Sequence, residues 1–197
     1  MPDPEHTNIG VITYSNTPQF YAFASEKAVD PSVIVMGDIF SPFCPLPKSK
    51  LLLNVKTCRQ QIELILDKVL VLHSIQSKAL PRFGSSGSCA GSALKSAVDI
   101  LGAESGKVLW FAMDIPSLGY GTLQSRNDAK LYNTDKEHTI FAPTDTYREL
   151  AGICNKYKVA VDVFACAHTD IDLASLAPIS SYMGGQIYYY PSFNSAA

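Results

Sequence analysis

Four residues in this chain have the types that acid–base or metal chemistry uses: Asp38, Asp114, His168 and Asp170. Each follows a stretch that reads as a strand, at Val33–Met36, Val108–Met113 or Val159–Ala165. Open α/β sheets bind ligands at the carboxyl ends of their strands, so the positions fit. Brought together, three carboxylates and an imidazole could hold a divalent cation or activate a water for hydrolysis. Nothing in their spacing fixes all four on one ion. Each also has an ordinary role available. Asp170 can cap the short helix that follows, Asp114 can start a turn, and His168 can sit exposed in a loop. The ordinary reading is preferred.

Cys166 and His168 lie two apart at the end of a run and could suggest a thiol nucleophile. A catalytic pair is usually assembled from separate elements, so a buried cysteine is the better reading. Gly119-Tyr120-Gly121 lacks the third glycine of a dinucleotide loop and runs into Arg126-Asn127-Asp128 rather than opening a helix. Gly84-Ser85-Ser86-Gly87-Ser88 precedes a helical pattern and could cradle a phosphate with backbone N–H groups. It has no following Lys-Ser/Thr, so a connection with a serine cap is preferred.

The elements that would position these residues are legible. Ile9–Tyr14 and Phe20–Phe23 read as strands of a hairpin around Ser15-Asn16-Thr17-Pro18, followed by a short strand at Val33–Met36. Ser41–Pro47 holds three prolines and reads as extended loop. Thr57 with Gln60 predicts a capping box, after which Ile62, Ile65, Leu66, Val69 and Leu72 keep helical spacing. Ser74–Ser88 is expected as loop. A second helix carries Ala90, Ala93, Leu94, Ala97, Val98 and Leu101 and ends at Gly102. Val108–Met113 is unbroken apolar sequence, as in a parallel strand buried on both faces. A polar loop over Asp114–Thr144 leads to a helix at Asp145–Tyr157 presenting Tyr147, Leu150, Ala151 and Cys154. A strand at Val159–Ala165 and a helix near Asp172–Tyr182 follow. The run Gly184-Gly185-Gln186-Ile187-Tyr188-Tyr189-Tyr190-Pro191-Ser192-Phe193 predicts a last strand, rich in rings suited to a pleated surface and stopped by Pro191. Alternation puts Tyr188 and Tyr190 on one face and Tyr189 on the other. Strand, helix, strand, helix, strand means a parallel sheet.

The totals bound the function. A chain of 197 residues, 47% hydrophobic and 17% charged, is globular and long enough for a core. A formal net charge of −2 supplies no long-range field for nucleic acid or an anionic membrane. Cys44, Cys58, Cys89, Cys154 and Cys166 form no C-x-x-C, so neither a disulfide framework nor structural zinc is expected, and a reducing compartment is. The start is no signal peptide, and no apolar stretch approaches the ~20 residues of a membrane span. From the residues, a binding module and an α/β enzyme remain open.

Several stretches together match a known family. They are Ile9-Gly10-Val11-Ile12-Thr13-Tyr14 with Phe20-Tyr21, Pro45-Leu46-Pro47 before Leu51-Leu52-Leu53-Asn54-Val55, Gly106-Lys107-Val108 and Pro116-Ser117-Leu118-Gly119. Further on are Lys130-Leu131-Tyr132-Asn133-Thr134-Asp135-Lys136-Glu137, Val161-Asp162-Val163-Phe164, Asp172-Leu173-Ala174-Ser175-Leu176 and the tyrosine run. From Ile9 to Phe193 the chain resembles the trunk domain of the cargo-adaptor subunit of the COPII vesicle coat, the Sec-twenty-four family. The resemblance implies a von Willebrand A-like α/β fold over residues 1–197. It would be a single, partial trunk domain with a mostly parallel sheet, an antiparallel edge hairpin and flanking helices. The first strand and helix would lie upstream of Met1, the strand falling between those at Ile9 and Val108. The metal motif D-x-S-x-S, which that strand carries in such folds, would be outside the chain, and the zinc-binding domain would also lie elsewhere. The resemblance further implies a cytosolic coat protein of endoplasmic reticulum to Golgi transport, peripheral to the membrane. It would bind the Sec-twenty-three coat subunit, reach a small GTPase indirectly and help select membrane-protein cargo. It implies no enzymatic activity, and no catalytic, cofactor-binding or metal-binding residue or cofactor within this chain. The alternative is a hydrolytic or nucleotide-binding α/β enzyme with Asp38, Asp114, His168 and Asp170 at its site.

Overall fold

The elements run β1 (Asn8–Ile9), β2 (Ile12–Tyr14), β3 (Pro18–Ala22), β4 (Ser32–Val35), α1 (Lys48–Leu51), β5 (Leu53–Asn54) and α2 (Arg59–Ala79). Then come α3 (Ala90–Leu101), β6 (Gly106–Ala112), α4 (His138–Phe141), α5 (Asp145–Tyr157), β7 (Val159–Ala165), α6 (Leu173–Ser181) and β8 (Ile187–Tyr189). The computed structural model describes residues 3–23, 28, 30–79, 87–125, 130–141, 144–167, 171–191 and 193.

The first half is built on an antiparallel sheet of order β2-β3-β4, with Ile12 opposite Phe20 and Phe20 opposite Ile34. Alternation along β3 divides its side chains between two faces. Phe20 and Ala22 pack with Met36, Leu51 and Ile100, whereas Tyr21 and Phe23 pack with Ile65 of α2. This sheet therefore has apolar contacts on both sides, toward α3 and toward α2. The Ile9–Tyr14 run, expected as one strand, is broken at Gly10 and Val11, and β1 pairs with β5 instead. A Cβ on Gly10 would lie 2.9 Å from the Leu51 carbonyl oxygen. The close approach of these two segments explains the break.

The second half is a parallel sheet of order β6-β7-β8, in register at Val108–Val161 and Val163–Ile187. Its buried face carries Trp110, Ala112, Val161 and Val163, packed with Leu94 and Val98 of α3, Leu150 and Cys154 of α5, and Leu176 and Ile179 of α6. The α5 face expected from spacing is fully buried at Tyr147, Leu150, Ala151 and Cys154. α6 starts on an N-cap: the Asp172 carboxylate accepts from Ser175 N at 3.1 Å.

Four expectations are corrected. The strand at Val108–Met113 is not buried on both faces: Leu109 and Phe111 are 55% and 58% exposed. The apolar contacts of α3, α5 and α6 lie on its other face. Ser74–Ser88 is not all loop, because α2 continues to Ala79. Its residues 74–79 include no glycine or proline to stop a helix. The turn before α2 is organised by Asn54, whose Oδ1 accepts from Lys56 N at 3.0 Å and Thr57 N at 3.2 Å, rather than by a Thr57–Gln60 box. The loop over Asp114–Thr144 contains the single turn α4, preceded by Thr134 and Glu137 in an arrangement that ties down local N–H groups. No helix among the described residues is long and apolar enough to cross a membrane.

Candidate functional site

Of the four residues singled out for chemistry, Asp38 and Asp114 are described and exposed. Asp38 is engaged by its own loop: its Oδ1 accepts from Phe40 N at 3.2 Å and Ser41 N at 2.9 Å. That is an Asx turn, a structural role for a carboxylate. Asp114 occupies a bend directly after β6. His168 and Asp170 lie outside the described residues. Among the described residues no three His, Cys, Asp or Glu side chains are grouped as a metal site.

The remaining motifs resolve as structure where they are described. Cys166 is buried, and its N–H donates to Ala112 O at 2.8 Å, closing the β6–β7 ladder. Gly119 and Gly121 have φ of +73° and +70°, the left-handed region that turns favour for glycine. Tyr120 N between them donates to Ile39 O at 2.8 Å, anchoring the turn on the loop that carries Asp38. Residues 84–86 of the glycine–serine loop, and Arg126-Asn127-Asp128, lie outside the described residues.

Two polar constructions were not anticipated from the sequence. The first joins the two main sheets. β2 pairs with β3, and β6 pairs with β7, but no ladder joins β2 to β6 among the described residues. Tyr14 bridges them with its side chain. Its hydroxyl donates to Phe111 O at 2.6 Å and accepts from Trp110 Nε1 at 2.9 Å. Burial pushes the Tyr14 phenol up to about 12, partly offset by the Trp110 bond and reinforced by Cys89 and Asp114. Beneath it Trp110 stacks on Tyr147, with centroids 6.3 Å apart. Burial also raises the Tyr147 phenol, whose hydroxyl donates to Gly121 O at 2.8 Å. The buried Cys89 and Cys154 thiols are both pushed up to about 11 by desolvation. Neither is the low-pKa thiolate of a nucleophile.

The second construction lies on the other face of the parallel sheet. Asp162 is buried there, paired with Lys107 Nζ at 2.6 Å and accepting Gln186 N at 3.0 Å. One carboxylate thus ties three successive segments together. Farther along the strands Phe111, Phe164 and Tyr188 stack in a row, with centroid spacings of 4.8 and 4.9 Å. Leu109, Phe111, Met113 and Tyr188 on this side are exposed; Tyr189, on the opposite side of β8, and Tyr190 are exposed as well. The row was hidden in the sequence because Val108–Met113 is apolar at every position, which erases the period-two signal of a half-exposed strand. The chemistry of this surface is apolar contact, with no nucleophile–base pair among its members.

A family model described as "Sec23/Sec24 trunk domain" matches residues 1–197. Protein transport protein SEC24 A of Arabidopsis thaliana is 34% identical over 198 residues, covering 100% of this chain and 18% of that protein. Protein transport protein SEC24 of Coccidioides immitis is 32% identical over 193 residues, covering 96% of this chain and 20% of that protein. The crystal structure of the human COPII-coat protein Sec24c superposes with a TM-score of 0.81 at 29% identity, covering 96% of this chain and 24% of that one. The chain spans about a fifth of the length of these curated relatives. The α/β architecture expected from the resemblance is the one found. By sequence and by fold, the chain belongs to the Sec23/Sec24 trunk domain family.

Proposed function

We propose that this chain is a single, partial trunk domain of a COPII coat cargo adaptor. In this reading it binds the Sec23 subunit and contributes to cargo selection at the cytosolic face of the endoplasmic reticulum. The small GTPase is reached only through Sec23. The chain itself catalyses nothing and carries no stoichiometric metal or cofactor. The observation that supports this reading is the family match over all 197 residues. The engagement of the Asp38 carboxylate by its own loop agrees with it.

The test is capture of the purified Sec23 subunit by this chain and by a longer form carrying the upstream strand and helix that the resemblance implies, with elemental analysis of the same preparations. Binding by the longer form, and no metal equivalent on the 197-residue chain, are expected. A well-folded longer form that leaves Sec23 unbound would overturn the partner assignment. One equivalent of zinc or magnesium on the short chain, lost on Asp114→Ala, would favour the α/β enzyme reading.

A further inference from the structure

We draw no further inference here: the strongest candidate, the exposed aromatic face of the parallel sheet formed by Leu109, Phe111, Phe164 and Tyr188, is an unpartnered apolar surface, and nothing in the structure shows what covers it.

Discussion

Tyr14 and Asp162 carry the polar contacts whose loss has the widest consequence. Tyr14→Phe removes the donor to Phe111 O and the acceptor of Trp110 Nε1 together. Trp110 is buried and its indole N–H would be left unmatched, whereas the Phe111 carbonyl lies at an exposed bond and can turn to water. One unmatched buried group costs about 1–3 kcal/mol, and denaturant unfolding at neutral pH is expected to show a loss in the lower part of that range. The pH dependence has a definite sign. An unfolded tyrosine titrates near ~10, whereas Tyr14 in the fold is raised to about 12. Its contribution is therefore complete below pH ~10 and is lost as pH rises through about 12. Cys89 and Cys154, raised to about 11, act in the same direction over a lower window. The wild-type chain should lose stability steadily above pH ~9, and Tyr14→Phe should flatten the uppermost part of that decline. An unchanged slope would mean that the hydroxyl is not held as described. Asp162→Ala strands the Gln186 N–H and frees Lys107, which is itself half exposed and can turn to water. A loss of about 2–3 kcal/mol is expected, smaller for Asp162→Asn, which keeps an acceptor. Equal losses for the two variants would assign the effect to charge rather than to the hydrogen bond. Both residues stood inside matched family stretches, yet their partners could not be read. Each bond joins segments distant in sequence, and spacing along one chain carries no signal of that.

Helix and strand identities were legible wherever one face was buried and the other was not. The α5 face followed from spacing, as did the end of α3 at Gly102. α3 itself was read as one-sided, but its polar Ser92 and Ser96 are buried too. Ser92 Oγ donates to Ile39 O at 2.6 Å, so the serines are satisfied by a loop that amphipathic patterning does not reveal. The break at Gly10 and the extension of α2 were missed because tertiary approach and local propensity override hairpin and turn expectations. The glycine pair before β8 gives a sharper test of element junctions. A Cβ on Gly185 would meet Val161 O at 2.0 Å, whereas one on Gly184 would meet nothing within 4 Å but would sit at φ +68°. Gly184→Ala is expected to cost about 1–2 kcal/mol, from backbone strain alone. Gly185→Ala should cost about 3 kcal/mol or more, because backbone must move. Thermal unfolding of the two variants would reverse the assignment if Gly184→Ala proved the more damaging.

At the scale of the whole molecule, the antiparallel and parallel halves meet where Tyr14 of β2 bonds Trp110 and Phe111 of β6. The bonds of Gly106 N and Ala112 O to the β7 side mean that Leu109 and Phe111 turn their backbone groups away from β7. Phe111 O is met by Tyr14, and among the described residues β2 offers no ladder to the others. A chain lengthened upstream by a strand and helix, the strand being the one the family resemblance places between β2 and β6, is expected to melt several degrees higher. Each kcal/mol gained corresponds to about 2–4 °C for a domain of this size. Equal melting temperatures, with the short chain monomeric, would show that the borrowed strand order is wrong here. The family was legible in this sequence only through its motifs, since no local group of residues announces it. The junction also makes the molecule its own reporter. The chain has one tryptophan, Trp110, and it sits where the halves meet, hydrogen-bonded to Tyr14 and stacked over Tyr147. Intrinsic fluorescence excited at the indole band will therefore follow separation of the two halves, with emission shifting to the red as water reaches the ring, while fraying at distant ends stays spectroscopically silent.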